Sequence, residues 1–106
     1  MDQNNASVEH KIGQSADSRA ALLDKLLNVA GFHEAYHESV FRCYRQDKYG
    51  KNQEVTVTVY DAGKSVDADR RYLCVARTAT GATASGKPSG YADKAIENVT
   101  WSELDK

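Results

Sequence analysis

The sequence predicts an α+β domain in which two helices pack on one face of an antiparallel sheet of three or four strands, in the order α-β-β-β-α. The stretch Glu54–Tyr60 alternates strictly between valine and polar residues, as expected of a strand with one buried face. Apolar residues at helical spacing precede it over 20–30 and follow it over 92–99. Because both helices must bury their apolar stripes, the valine face of the sheet is their expected partner.

Length and charge limit the classes of function. A chain of 106 residues forms one domain, which buries roughly 65% of its unfolded surface. Residues 1–14 are polar and aperiodic and predict a mobile tail, so the folded domain spans 15–106. The net charge of -1 offers no global field for nucleic acid or anionic lipid. The sequence has no membrane-spanning run and no export signal, and therefore predicts a cytoplasmic protein without a membrane partner.

The first helix is predicted from Ser15 to Ala30. Polar side chains between 15 and 18 can accept the free backbone N–H groups of its first turn. Gly31 ends the helix, because glycine readily adopts the left-handed conformation of a helix end, and Phe32 can fold back as in a Schellman cap. The apolar stripe consists of Ala20, Leu23, Leu26, Leu27 and Ala30.

The first strand is predicted from Ser39 to Gln46, where aromatic and β-branched residues are frequent. Aromatic residues from 32 to 44 also fit helical spacing, so residues 33–38 are left open between helix and loop. The loop 47–52 leads directly into the valine strand, as a hairpin would.

Further elements follow the valine strand. They are a strand at 71–77, a short strand at 82–85 and a helix at 89–98. Thr100 and Glu103 match a capping box, which predicts a new helical turn starting at Trp101. The two cysteines, Cys43 and Cys74, lack CxxC spacing and are expected as free thiols in or near the core, on neighbouring strands.

The outer face of the sheet is the leading candidate for function. Strand parity places on it Arg42, Tyr44, Thr56, Thr58, Tyr60 and Tyr72. Tyrosine is favoured at interfaces because it buries a large ring and keeps a polar tip. We therefore expect a small non-enzymatic binding module that engages a protein partner, or a second copy of itself, through Arg42, Tyr44, Thr58, Tyr60 and Tyr72.

Nucleic-acid binding is the alternative hypothesis. Guanidinium groups fork onto phosphates and tyrosine rings stack on bases, as in RNA-binding sheets. The residues for this function are Arg42, Arg45, Lys48, Lys51 and Lys87. The same charges also suit an edge strand that is protected against unwanted pairing.

The string His33-Glu-Ala-Tyr-His37 matches the HExxH pattern of zinc hydrolases, in which two histidines one helical turn apart bind zinc and Glu34 activates water. That site needs an uninterrupted helix and a third ligand. Gly31 ends the helix before it, and no histidine follows His37. We therefore predict no catalytic residue, no metal and no cofactor, and interpret the string as a solvated connection. A zinc hydrolase through His33, Glu34 and His37 is the third hypothesis.

The order of elements, with a glycine-containing loop before the last helix, resembles the double-stranded-RNA-binding domain over about residues 15–100. In that family lysines at the start of the second helix clamp phosphate, and the matching stretch here is Lys87–Lys94. The family's loop between the first two strands corresponds to Lys48–Asn52. Residues 83–99 also resemble HicB-type antitoxin domains in their glycine and alanine pattern. The first resemblance implies RNA binding through Lys87, Lys94 and the hairpin loop.

Overall fold

A computed structural model describes residues 15–106 and confirms the predicted α+β class. The elements are α1 (Ala16–Asn28), β1 (His37–Gln46), β2 (Asn52–Asp61), β3 (Tyr72–Thr78), β4 (Thr83–Ser85) and α2 (Ala92–Glu97). Short 3₁₀ segments lie at Ala68–Arg70 and at Trp101–Asp105, and we call the second one the C-terminal turn. The predicted tail, residues 1–14, lies outside the described residues.

The four strands form one antiparallel sheet in the order β1-β2-β3-β4, so each strand pairs with its neighbour in sequence. The β1–β2 register runs without interruption from His37 opposite Asp61 to Gln46 opposite Asn52. Asp47 shapes the hairpin between them, because its carboxylate accepts the amides of residues 49 and 51, each at 2.9 Å. The amide of residue 51 is the main reason that the pKa of Asp47 lies below its usual value.

The core lies on the valine face of the sheet. It consists of Val55, Val57, Val59, Tyr72, Cys74, Ala76, Ala84, Ala95, Val99 and Leu104. α2 and the C-terminal turn pack against β2, β3 and β4 on this face. α2 has six residues, fewer than predicted, and it does not reach across the whole sheet. Phe41 of β1 therefore stays 50% exposed although its position in the register puts it on the valine face, opposite Val57.

The parity of β3 differs from the prediction. Tyr72 lies opposite Asp61 on the covered face and is only 7% exposed, so its predicted place on the outer face is wrong. The guanidinium of Arg71 stacks on its ring at 5.0 Å. Farther along the same side of β3 stand Cys74 and Ala76, whose small side chains let α2 approach the sheet closely.

α1 meets the sheet at its end, beside the loop that follows β2. Among the polar residues from 15 to 18 that could cap the helix, Ser15 does so, accepting the amide of Ser18 at 3.2 Å. Gly31, at φ 85°, turns the chain out of it. α1 buries only Ala20 and Leu23, which stand close to Gly63.

The buried carboxylate of Asp61 ties α1 to the sheet. It accepts hydrogen bonds from Arg19 Nε at 3.0 Å, from Arg71 Nε at 2.6 Å and from the Gly63 amide at 2.8 Å. A second Arg71 nitrogen donates to the carbonyl oxygen of Ala16 in the first turn of α1, at 2.7 Å. Burial acts to raise the pKa of Asp61, but these hydrogen bonds outweigh it and the pKa lies below its usual value.

The C-terminal turn begins at Trp101, as predicted, but not through the expected capping box. The Thr100 side chain makes no capping hydrogen bond. Instead, the Thr100 amide donates to the carbonyl oxygen of Ser85 at 3.2 Å, which joins the turn to the end of β4. Gly86 allows this approach, because a Cβ atom there would lie 2.0 Å from the Asn98 carbonyl oxygen.

We expect Asp61→Asn to lower the free energy of unfolding by about 3 kcal/mol at pH 7, because two guanidinium groups lose their buried counter-charge. A carboxylate with a depressed pKa stabilises the fold above its unfolded pKa of about 3.9 and loses this effect as pH falls through the folded value. The difference between wild type and variant should therefore shrink below about pH 4. Urea unfolding followed by Trp101 fluorescence tests this, with exposed Asp69→Asn as the control.

Gly86→Ala should cost about 3 kcal/mol or more, because backbone atoms of Asn98 occupy the space that the methyl group needs. Ser85→Ala, at the exposed neighbouring position, should change the unfolding free energy by about 0.5 kcal/mol or less. Equal thermal midpoints for the two variants would contradict the close approach of the two chain segments.

Candidate functional site

The face of the sheet opposite the core is the candidate functional site, and we call it the open face. Its cross-strand rows are Glu38–Tyr60–Leu73, Val40–Thr58–Val75–Ser85, Arg42–Thr56–Arg77–Thr83 and Tyr44–Glu54. In the part of the chain that the structure describes, α2 and the C-terminal turn both pack on the other side. Val40 and Tyr44 are each 61% exposed on the open face.

One end of the open face is apolar. A groove of about 420 Å³ lies there. Its lining residues are Tyr36, Tyr60, Ala62, Val66, Arg70, Arg71, Leu73 and Pro88. Tyr36 donates a hydrogen bond to Glu34 at 3.3 Å, and the negative charge of that glutamate raises the pKa of the Tyr36 phenol. Such a groove suits an apolar side chain of a binding partner, with hydrogen-bond acceptors beside it in the partner that reach Arg70 and Arg71.

Three of the five predicted partner-binding residues lie accessibly on the open face. Arg42 approaches the Glu54 carboxylate at 3.8 Å, and Tyr44 donates to the same carboxylate at 3.3 Å. Tyr60 is half-buried beside the groove. Thr58 also belongs to this face, but it is 6% exposed because Val40 and Val75 flank it in the register. Tyr72, the fifth residue, belongs to the core.

Leu73, Val75 and Arg77 occupy the open face and were missing from the predicted site. The alternation of β3 puts Leu73 and Val75 on one face and Tyr72 on the other, and the prediction placed Tyr72 outside. Arg77 carries the signal that could have corrected this assignment. It has the same parity as Leu73 and Val75, and a strand side with a terminal arginine is more readily exposed than one carrying Cys74 and Ala76.

The predicted basic residues do not form one patch. Arg45 lies on the opposite side of β1 from Arg42 and forms an ion pair with Asp105. Lys48 lies over the ring of Tyr49, at 5.4 Å, in the hairpin loop that also contains Lys51. Lys87 follows β4 at the far edge, three strand spacings or about 14 Å from β1.

The HExxH string lies in an extended connection. α1 ends at Asn28, and His37 is already the first residue of β1. His33, Glu34 and His37 are therefore not presented on one helical turn, which is the geometry that the zinc pattern requires. Within residues 15–106, no group of three histidine, cysteine or acidic side chains is placed to hold a metal ion.

The two cysteines differ in environment. Cys74 is fully buried in the core, and burial raises the pKa of its thiol, with a smaller effect from Cys43. Cys43 was expected in or near the core as well, but it is exposed, because the covering elements do not extend over β1. Both thiols are free.

We expect Cys43 to react rapidly at pH 8 with a thiol reagent such as a chromogenic aromatic disulfide, so that one sulfur per chain is modified in the fast phase. The Cys74 thiol should react at least about a hundredfold more slowly, since it is buried and its thiolate is disfavoured. Cys43→Ser should abolish the fast phase and Cys74→Ser should leave it. Two equally fast thiols in the wild type would show that Cys74 is not enclosed.

No helix among residues 15–106 is long and apolar enough to cross a membrane. Comparison with known proteins assigns the chain to no family: no protein-family model, curated protein or solved structure matches it. The resemblances to RNA-binding and antitoxin domains therefore stay predictions. Function has to be argued from the open face itself.

Proposed function

We propose that this chain is a small protein-binding module that engages another polypeptide through the open face. The asymmetry of the sheet supports this proposal. One face packs against α2 and the C-terminal turn, whereas the other leaves Val40 and Tyr44 exposed beside Tyr60 and Leu73. Contiguous exposed apolar surface, rimmed by polar residues, marks an interaction site more often than isolated exposed residues do.

The composition of the open face suits a polypeptide partner. Specific interfaces combine an apolar centre rich in tyrosine and arginine with a polar rim. Here Val40, Tyr60 and Leu73 supply the apolar surface, while Arg42 and Arg77 offer donors for carboxylates. The groove next to Tyr60 has room for one apolar side chain of the partner. The partner expected from this chemistry is a segment with an apolar anchor and acidic neighbours.

The open face is also pre-organised. Its side chains project from four hydrogen-bonded strands, so little conformational freedom is lost when a partner binds. Thr58 and Thr56 form the middle of the face, between the larger residues. A pre-organised surface with a few aromatic anchors favours binding energy concentrated in those anchors.

The double variant Tyr44→Ala/Tyr60→Ala should weaken capture of peptides at least about tenfold, because each anchor contributes 1 kcal/mol or more. The probe is a phage-displayed random peptide library selected on the immobilised full chain, with affinities then measured for the enriched peptides. Tyr49→Ala/Tyr91→Ala removes two exposed tyrosines outside the open face and is the matched control. Equal loss in both double variants, or none in the first, would contradict the proposal.

A short RNA duplex, titrated into the same protein, gives the competing outcome. Affinity that falls steeply with salt and depends on Arg42, Lys48 and Lys51 would assign the surface to nucleic acid instead. Circular dichroism and amide NMR spectra of each variant show whether the fold is kept.

A further inference from the structure

Strand β1 has a free backbone edge. The Asp47 amide donates to the Lys51 carbonyl oxygen at 2.8 Å, which makes these two residues a hydrogen-bonded pair. In an antiparallel ladder such pairs alternate, so odd-numbered residues of β1 bond to β2. The N–H and C=O groups of Glu38, Val40 and Arg42, like those of Tyr44, therefore point away from β2. The sheet order places no other described strand on that side.

Charged side chains protect this edge against unspecific strand pairing, but within residues 15–106 it lacks the other usual protections. Natural edges are shortened, bulged, interrupted by proline or covered. β1 is ten residues long, contains no proline and keeps an uninterrupted register with β2. Within residues 15–106 the middle of β1 is uncovered on both faces, since Val40 is exposed on one side and Phe41 on the other. The edge is thus ready to accept a further strand.

The side chains along the edge are complementary to themselves. The sequence Tyr36-x-Glu38-x-Val40-x-Arg42-x-Tyr44 reads the same in both directions, except that the two charges exchange. Two copies aligned antiparallel with Val40 opposite Val40 would place each Glu38 opposite Arg42 of the other copy. Opposite charges facing each other across strands stabilise a ladder, and like charges destabilise it.

Neighbouring registers lose this complementarity. With Arg42 at the centre, the two arginines would face each other. With Phe41 at the centre, Glu38 would face Tyr44 and Arg42 would face Val40, so neither charge would have a counter-charge. Register is fixed by which side chains meet, so the charges select the alignment centred on Val40.

The geometry points to a second copy of this chain as the occupant of the β1 edge, with both copies sharing one continuous antiparallel sheet about a two-fold axis at Val40. On the covered side the Phe41 rings of the two copies would then be diagonal neighbours, about 7–8 Å apart, within reach of each other. This contact would bury rings that are half exposed in the single chain. The inference rests on the proposed binding function and names a second copy of the chain as one partner. In this dimer both open faces would lie on the same side of the joined sheet.

Charge reversal tests the inference in sedimentation velocity runs on the full chain over a range of concentrations. Wild type should form a dimer. Arg42→Glu and Glu38→Arg each create two like-charge pairs in the dimer and should each weaken dimerisation about tenfold or more. The double variant Glu38→Arg/Arg42→Glu restores both pairs and should return within about threefold of wild type. Lys64→Glu changes the net charge as Arg42→Glu does, at an exposed residue away from β1, and should have no effect.

A wild type that stays monomeric at all concentrations, or a double variant that dimerises no better than the singles, would overturn the inference. Amide exchange gives a second measurement, because the Val40 and Arg42 amides should become protected only in the dimer. Protection in a monomer that disappears on deleting residues 1–14 would assign the edge to that segment and would equally overturn it.

Tyr60→Ala separates this inference from the proposed function. Tyr60 belongs to β2, away from the edge, so this variant should lose peptide capture and keep the dimer. A monomeric protein whose peptide capture depends on Tyr60 would leave the proposed function standing without the β1 pairing. A dimer whose peptide capture does not depend on Tyr60 would support the β1 pairing and contradict the proposed function.

Discussion

The buried carboxylate of Asp61 joins α1, which has little other contact with the sheet, to the paired strands β2 and β3. α1 buries only two side chains, so hydrophobic burial alone contributes a few kcal/mol to its position. Arg19 of α1 and Arg71 at the start of β3 converge on Asp61 at the end of β2, and Arg71 also reaches the first turn of α1. Buried charges are costly to desolvate, so such a cluster contributes mainly by allowing one arrangement.

The small extent of the cover explains the exposed surfaces. α2 and the C-terminal turn together span few residues, and they pack over β2, β3 and β4. The middle of β1 is consequently exposed on both faces, and no other strand of residues 15–106 lies along its outer edge. An exposed face, a groove beside Tyr60 and an unpaired strand edge thus have one common cause: too little helix to cover a four-stranded sheet. Proteins with such surfaces usually bury them against a partner.

The candidate site was predictable where its residues lie on β1 and β2. Arg42, Tyr44 and Tyr60 lie on the face of the sheet that points away from Val55, Val57 and Val59, and the alternation of these valines is clear in the sequence. The errors arise one strand away. Tyr72 is predicted on the outer face, but it lies in the core opposite Asp61. Leu73 and Val75 lie on the open face instead. Two residues of β1 depart from the prediction for another reason. Cys43 lies on the valine side but stays exposed because the cover ends before reaching it, and Arg45 leaves the predicted basic patch because it lies on the side opposite to Arg42 and pairs with Asp105.

The sequence by itself determined the elements: a capped and glycine-terminated helix, a strand with strict alternation, a hairpin set by Asp47 and a turn starting at Trp101. These features depend on neighbours a few residues apart, which local patterns report directly. Only the tertiary structure decided which side of β3 faces the core, where α1 attaches and how far the cover extends. Each of these depends on contacts between residues far apart in sequence, such as Arg19 with Asp61 at a separation of 42 residues, and no local period encodes them.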